Sequence, residues 1–220
     1  MPKAYDLDLQ KVVISNLEEI AKGVYILGFK RDFNFKAGQV IAITTREDLP
    51  ARLYSIASGI NEKDVKILFN VVPEGALTTE LSEMKVGDEI MISQAFGQFY
   101  GDDFLAYWIA AGTGIAPFAS MYYSGQRNQK VIIHGGRYLE SFYFEKDFKS
   151  LNDSYIRCCS QEKGNGVFEG RLTVYLRAKK DFPADYKYYL CGSSEMVVEC
   201  RDILISKGIP YEQIFAEIYF

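Results

Sequence analysis

At 220 residues the chain has the length for one large domain or two modest ones, each with its own core. Hydrophobic residues at 48% and charged residues at 25% are ordinary globular proportions, and a formal net charge of −4 argues against general nucleic-acid binding, which needs a strongly basic face. No apolar run nears membrane-spanning length, and the N-terminal MPKAYDLDLQK lacks the apolar segment of a secretory signal, so a soluble, cytoplasmic protein is expected.

The first half, to about residue 100, reads as short strands separated by turns: VYILGFK (24–30), QVIAITT (39–45), RLYSIAS (52–58), VKILFNVV (65–72) and DEIMIS (88–93). Strands spaced this regularly suggest an antiparallel barrel or sandwich, interrupted by one short helix around LTTELSEMK (77–85). The pattern changes near GQFYGDD (97–103). Beyond it, LAYWIAA (105–111), KVIIHGG (130–136), SYIRCCS (154–160) and KYYLCGS (187–193) are apolar on both faces and alternate with helical segments, as in a parallel sheet covered by helices. The last helix is capped by Ser193 or Ser194, with Glu195 in its first turn. Met196, Val197, Cys200, Ile203 and Leu204 form its apolar stripe, Gly208 stops it and Pro210 follows. Two domains are therefore expected, residues 1–100 and 101–220.

Several chemistries are disfavoured by what is missing. The four cysteines, Cys158, Cys159, Cys191 and Cys200, include no C-x-x-C pair, and His134 is the sole histidine, so neither structural zinc nor an in-chain iron–sulfur cluster is expected. A Ser–His–Asp hydrolase would have to use His134, and no G-x-S-x-G accompanies it. The 16 tyrosines and 15 phenylalanines suit a flat-ring ligand, and a well-filled core equally well.

Five segments carry candidate chemistry, each with a plain structural reading beside it. In ARLYSIAS (51–58), Leu53 and Ile56 are expected to pack inward, leaving Arg52, Tyr54, Ser55 and Ser58 for a ligand or simply on an amphipathic strand. In AAGTGIAPF (110–118), Gly112 and Gly114 allow a sharp turn and close backbone approach. The amides opening the next helix would face an anion there, although a tight strand-to-helix turn explains the glycines too. Pro117, near the first helical turn, gives up no needed hydrogen bond. In EGALTTEL (74–81), Gly75 permits close approach and Thr78 or Thr79 could cap a helix, with or without a phosphate. YLCGSSEM (189–196) puts Cys191 at the carboxyl end of a strand, where ligands of parallel sheets bind, or where a buried thiol acts as a small hydrophobe. AEIYF (216–220) ends the sequence with Glu217, Tyr219 and Phe220, functional or a frayed tail.

The order of these segments is more telling than any one of them. R-x-Y-S-x-A-S, G-x-x-T-x-x-L, G-x-F (97–99), G-T-G-I-A-P, C-G-S-S-E-M and a terminal aromatic, taken together, resemble the ferredoxin–NADP reductase family from about residue 10 onward, most of all its compact bacterial type. The resemblance implies an antiparallel Greek-key FAD barrel followed by an α/β nucleotide domain. It puts Arg52 on the FAD pyrophosphate, Tyr54 against the isoalloxazine and Ser55 near flavin N5, with Leu53 in the same stretch. Gly75, Ala76, Leu77 and Thr78 hold the pyrophosphate from the other side, and Tyr219 and Phe220 shield the flavin or its adenine. It likewise implies a nicotinamide cofactor on Gly112, Thr113, Gly114, Ile115 and Pro117, with its reactive ring beside Cys191 and Gly192, Met196 among its binding residues, and Glu217 assisting proton movement and nicotinamide positioning. Arg137 and Arg171 match two of three arginines that hold the 2′-phosphate in the bacterial type, while Gln161 stands where the third is expected. NADP is then the expected substrate, with NAD possible.

The implied activity is an FAD-dependent NAD(P)H oxidoreductase passing single electrons to a separate carrier, ferredoxin or flavodoxin first. The alternatives are an NADH-dependent reductase serving an oxygenase or free flavin, and a non-catalytic flavin electron-transfer subunit.

Overall fold

A computed structural model describes residues 7–219, without the side chain of Tyr219. Contacts divide the chain into two compact units, one comprising the chain to Gly101 together with Ala116–Gly125, the other Asp102–Ile115 together with the chain from Gln126.

The first unit contains β1 (Leu9–Ala21), β2 (Val24–Lys30), β3 (Val40–Thr44), β4 (Arg52–Ser55), β5 (Asp64–Asn70), α1 (Ala76–Glu83), β6 (Glu89–Ser93) and α2 (Ala116–Tyr123). All strand pairings are antiparallel, in the order β4-β3-β6-β1-β2-β5, and a bridge between Ile56 and Ile67 joins the two outer strands, closing the sheet as a barrel. Alternate residues of these strands, among them Leu27, Phe29, Ile41, Ile43, Ile67, Phe69, Ile90 and Ile92, fill the interior. The helix α2 joins the unit through hydrogen bonds: Ser120 Oγ donates to the Ser58 carbonyl at 2.7 Å, and Ser124 Oγ accepts from Ile60 N at 3.0 Å.

β1 falls where no strand was expected. Its N-L-E-E-I-A half has helical spacing, yet pairing to β2 on one side and β6 on the other, with irregularities between Ile14 and Asn16 and between Glu19 and Ala21, holds it extended. Leu53 also departs from expectation. Ile56 is buried but Leu53 is 52% exposed, because the core-facing side of the segment belongs to Tyr54 and Ile56, and Leu53 alternates to the opposite face.

The second unit is a six-stranded parallel sheet, β7 (Ala106–Ala111), β8 (Lys130–Gly136), β9 (Tyr155–Cys159), β10 (Val167–Glu169), β11 (Lys187–Ser193) and β12 (Ile214–Tyr219), in the order β10-β9-β8-β7-β11-β12. Its helices are α3 (Glu145–Phe148), α4 (Leu172–Ala178) and α5 (Ser194–Ser206). Leu172 and Leu176 of α4 and Val197, Cys200, Ile203 and Leu204 of α5 pack on Tyr107, Ile109, Ile133, Tyr188 and Leu190 of the sheet. As expected, Ser193 caps α5, its Oγ accepting from Met196 N at 3.4 Å, and Gly208 ends it with a φ of +88°. The C-terminal segment is a strand, not a frayed tail: β12 pairs with β11 from Ile214 through Tyr219.

Candidate functional site

In the first unit, the candidate residues for an anionic, flat-ring ligand lie on β4 and at the turn before α1. β4 hangs on β3, pairing Ser55 with Val40, Tyr54 with Ile41, Leu53 with Ala42 and Arg52 with Ile43. Ser55 is buried, Tyr54 half-buried and Arg52 exposed, so a hydroxyl, a phenol and a guanidinium lie within four residues of one strand. Burial pushes the Tyr54 phenol up to about 12, keeping it neutral and a hydrogen-bond donor. Its ring meets Phe69 edge-on at 6.3 Å, which ties β4 to the end of β5.

β5 leads into the turn before α1. Glu74 adopts a left-handed φ of +63°, and Gly75 is the N-cap. A Cβ on Gly75 would lie 3.0 Å from both the Val72 carbonyl and Thr78 Oγ1, so a side chain there would need its neighbours to give by a few tenths of an ångström. Neither threonine caps the helix as expected. Thr78 Oγ1 sits inside the first turn, accepting from Val72 N at 3.0 Å, and Thr79 Oγ1 donates back to the Gly75 carbonyl at 2.9 Å. The first-turn amides of α1, which have no carbonyl four residues back, are thus not taken by a side-chain cap. Leu77 is buried and can offer only its backbone, while Ala76 is exposed. Val72, before the turn, and Leu53 both stand bare, at 47% and 52% exposed. An unengaged guanidinium, an uncapped helix N-terminus, a neutral tyrosine and exposed apolar side chains are the donor set and surface that a flavin dinucleotide requires.

In the second unit the turn at Gly112–Ile115 is a single 3-10 turn after β7. Its two glycines do different things. Gly112 has a φ of +54°, and a Cβ there would meet nothing within 4 Å. Gly114 is buried against the end of β11, where a Cβ would lie 2.4 Å from the Cys191 carbonyl oxygen. Its absent side chain therefore serves packing on β11. Ile115 and Pro117 are fully buried, leaving Gly112 and Thr113 as the partly exposed members of the motif.

Cys191 is buried on β11, in register with Ala110 of β7 and Glu217 of β12. The parallel pairing of β11 and β12 thus brings two of the expected catalytic residues side by side, with Glu217 half-buried. Met196 covers Gly192, its methyl 2.4 Å from where a Cβ on that glycine would be. Ser55 belongs to the first unit and these residues to the second. Tyr219 is in β12, but its side chain and Phe220, the residues expected to shield the flavin or its adenine, lie outside the described residues.

Arg137, Gln161 and Arg171 follow the carboxyl ends of β8, β9 and β10, which are neighbours in the sheet. Backbone hydrogen bonds link these ends: Gln161 N donates to the Arg137 carbonyl at 2.9 Å, and Gly170 N to the Cys159 carbonyl at 2.7 Å. Both arginines are exposed, and neither forms a side-chain hydrogen bond or ion pair among the described residues. Arg52 has the same freedom. By contrast Arg46, Arg157, Arg177 and Arg201 hold carboxylates, and Arg31 holds the Ile60 carbonyl.

One residue went unused in reading the sequence for function. His134 is buried near the carboxyl end of β8, with Nδ1 3.2 Å from the Tyr155 hydroxyl and the Gly112 backbone among the groups that interact with its ring. The available signal was a lone histidine just before the glycines that end an apolar strand.

An antiparallel barrel joined to a parallel sheet with a glycine turn after β7 is the architecture of a two-domain, pyridine-nucleotide-linked flavoprotein reductase. Residues 108–202 match the oxidoreductase NAD-binding domain family. Over 206 residues the chain is 31% identical to a ferredoxin–NADP reductase of Pseudomonas aeruginosa, covering 80% of each chain. It is 24% identical over 229 residues to the toluate 1,2-dioxygenase electron transfer component of Pseudomonas putida, covering 94% of this chain and 66% of that one. Its structure is similar to that of a ferredoxin NADP+ reductase from Neisseria gonorrhoeae with bound FAD and NADP, with a TM-score of 0.86, 20% identity and coverage of 96% and 99%. The chain belongs to the ferredoxin–NADP reductase family and is an FAD-dependent NAD(P)H oxidoreductase. Among the described residues no helix is long and apolar enough to cross a membrane.

Proposed function

We propose that the protein is a cytoplasmic reductase that oxidises NADPH through FAD and passes single electrons to a ferredoxin or flavodoxin. The observation that carries this is the state of the arginines: Arg52, Arg137 and Arg171 are exposed and hold no partner among the described residues, whereas arginines elsewhere are engaged. A free guanidinium matches phosphate oxygens with a planar fork of donors. In this reading residues 1–100 form the FAD-binding domain and 101–220 the nucleotide domain. Arg52 and the amides of Gly75, Ala76, Leu77 and Thr78 hold the FAD pyrophosphate, Tyr54 lies against the flavin and Ser55 donates a hydrogen bond near its N5. Gly112, Thr113, Gly114, Ile115 and Pro117 receive the pyrophosphate of the nicotinamide cofactor, and Arg137 and Arg171 its 2′-phosphate. Cys191, Gly192 and Met196 bound the nicotinamide, and Glu217 holds and moves a proton beside it. Bound FAD supplies the redox chemistry, exchanging electron pairs on one side and single electrons on the other; the chain binds, orients and excludes water.

A second reading, an NADH-dependent reductase of an oxygenase, draws on Gln161, which offers a neutral amide where the family resemblance implied a third arginine. The decisive experiment loads the purified protein with FAD and measures kcat/KM for NADPH and NADH, first with ferricyanide and then with ferredoxin and flavodoxin. The proposal expects a modest NADPH preference and turnover of at least one carrier. A strong NADH preference with neither carrier reduced supports the oxygenase reading, and inertness to both nucleotides identifies a non-catalytic flavin subunit.

A further inference from the structure

His134 takes no part in the contacts proposed above, yet it is fully buried beside the turn on which they depend. It lies in register with Ala110, two residues before Gly112. Phe142 packs edge-on against the imidazole at 5.3 Å, and the Tyr155 ring lies tilted at 6.3 Å, so the ring has little freedom to rotate. Nδ1 is 3.2 Å from the Tyr155 hydroxyl. Nε2 is buried and completes no hydrogen bond, and the Gly112 backbone is a polar group that interacts with the imidazole.

Burial holds the imidazole neutral, its pKa pushed down to about 3. A neutral imidazole has one donor and one acceptor nitrogen, and the Gly112 carbonyl can only accept. The proton therefore belongs on Nε2, and Nδ1 accepts from the Tyr155 hydroxyl. We propose that His134 is a positioning residue: anchored by Tyr155, it directs its Nε2–H at the Gly112 carbonyl and holds that residue in the left-handed conformation from which the nucleotide turn begins. A buried donor without a partner is unfavourable, and a small rotation of the Gly112 peptide satisfies it, so the pull acts on one peptide.

The inference rests on reading Gly112–Pro117 as the nucleotide turn, and the test separates the two. NADP+ binding to the FAD-loaded protein is measured by calorimetry for wild type, His134→Ala, His134→Gln and Tyr155→Phe, alongside KM and kcat for NADPH with ferricyanide. His134→Ala should weaken NADP+ about tenfold and raise KM more than it lowers kcat, the scale of one lost hydrogen bond. His134→Gln carries an N–H of similar reach and should recover most of the loss. Tyr155→Phe, which frees Nδ1 but keeps the ring, should weaken binding about threefold. Equal losses in the alanine and glutamine variants overturn the proposal, since a merely space-filling role would not distinguish a donor. Should His134→Ala fail to fold, unchanged binding in Tyr155→Phe overturns it. If wild type binds neither NADP+ nor NAD+, the nucleotide turn itself is misread and the inference falls with it; if wild type binds and no variant differs, only the inference falls.

Discussion

Alanine at Gly112 and at Gly114 should separate two functions carried by one motif. A Cβ on Gly114 would lie 2.4 Å from the Cys191 carbonyl oxygen, 2.7 Å from its carbon and 2.9 Å from the Gly192 Cα. Ordinary contact begins near 3.4 Å, so the turn must retreat by about 1 Å. It would retreat from β11, which is locked in register with β7 on one side and β12 on the other. Overpacking costs about 1–3 kcal/mol, and with backbone on both sides of the clash the upper end applies. About 3 kcal/mol corresponds to a fall in Tm of roughly 6–12 °C for a chain of this size. Gly112→Ala meets no atom and carries only the conformational penalty of a φ of +54°, about 1 kcal/mol, or roughly 2–4 °C. Its methyl, however, would stand in the open space over the turn and should weaken NADP+ at least about tenfold. Thermal unfolding, FAD content after gel filtration and calorimetric NADP+ titration read the three effects separately. A Gly114→Ala protein as stable as wild type, or a Gly112→Ala protein as unstable as Gly114→Ala, would refute this division of roles.

Arg52→Ala should lose a charge-assisted contact of about 1.5–3 kcal/mol and release FAD on dilution, with unchanged FAD affinity counting against the assignment. Gln161→Arg should raise the NADPH/NADH ratio of kcat/KM about tenfold and Arg171→Ala lower it by a similar factor; a ratio that neither variant moves places the 2′-phosphate elsewhere. Because His134 is held neutral with a depressed folded-state pKa, the unfolded chain binds the proton more readily, and the stability this contributes is present above about pH 6.5 and lost as pH falls toward 3. Between pH 6.5 and 5, urea unfolding should therefore show a loss approaching about 1.4 kcal/mol per pH unit that is absent in His134→Gln, and identical slopes in the two proteins would remove the histidine from the account.

Wherever a segment's own residues carried the instruction, it was legible without the fold. β2, β8 and β11 have the expected bounds because their apolar runs are long and end in charge or glycine, and α5 has its expected start, stripe and stop because Ser193, Glu195 and Gly208 are local signals. The two-domain architecture followed from the change of pattern near residue 100, and the motif order carried the family. What the tertiary structure decided is non-local. β1 is extended because β2 and β6 pair with it, and β10 and β12 are strands because β9 and β11 are already in place. Leu53 faces outward because pairing with β3 turns Tyr54 and then Ile56 onto the core side, and α2 groups with the first unit through Ser58, Ile60 and Phe99 rather than with the turn that precedes it. The separate roles of Gly112 and Gly114, and the burial of His134 beneath them, depend on which backbone lies opposite. Hydrogen-bond pairing and close packing join residues far apart in the chain, and no local pattern of side chains encodes that distance.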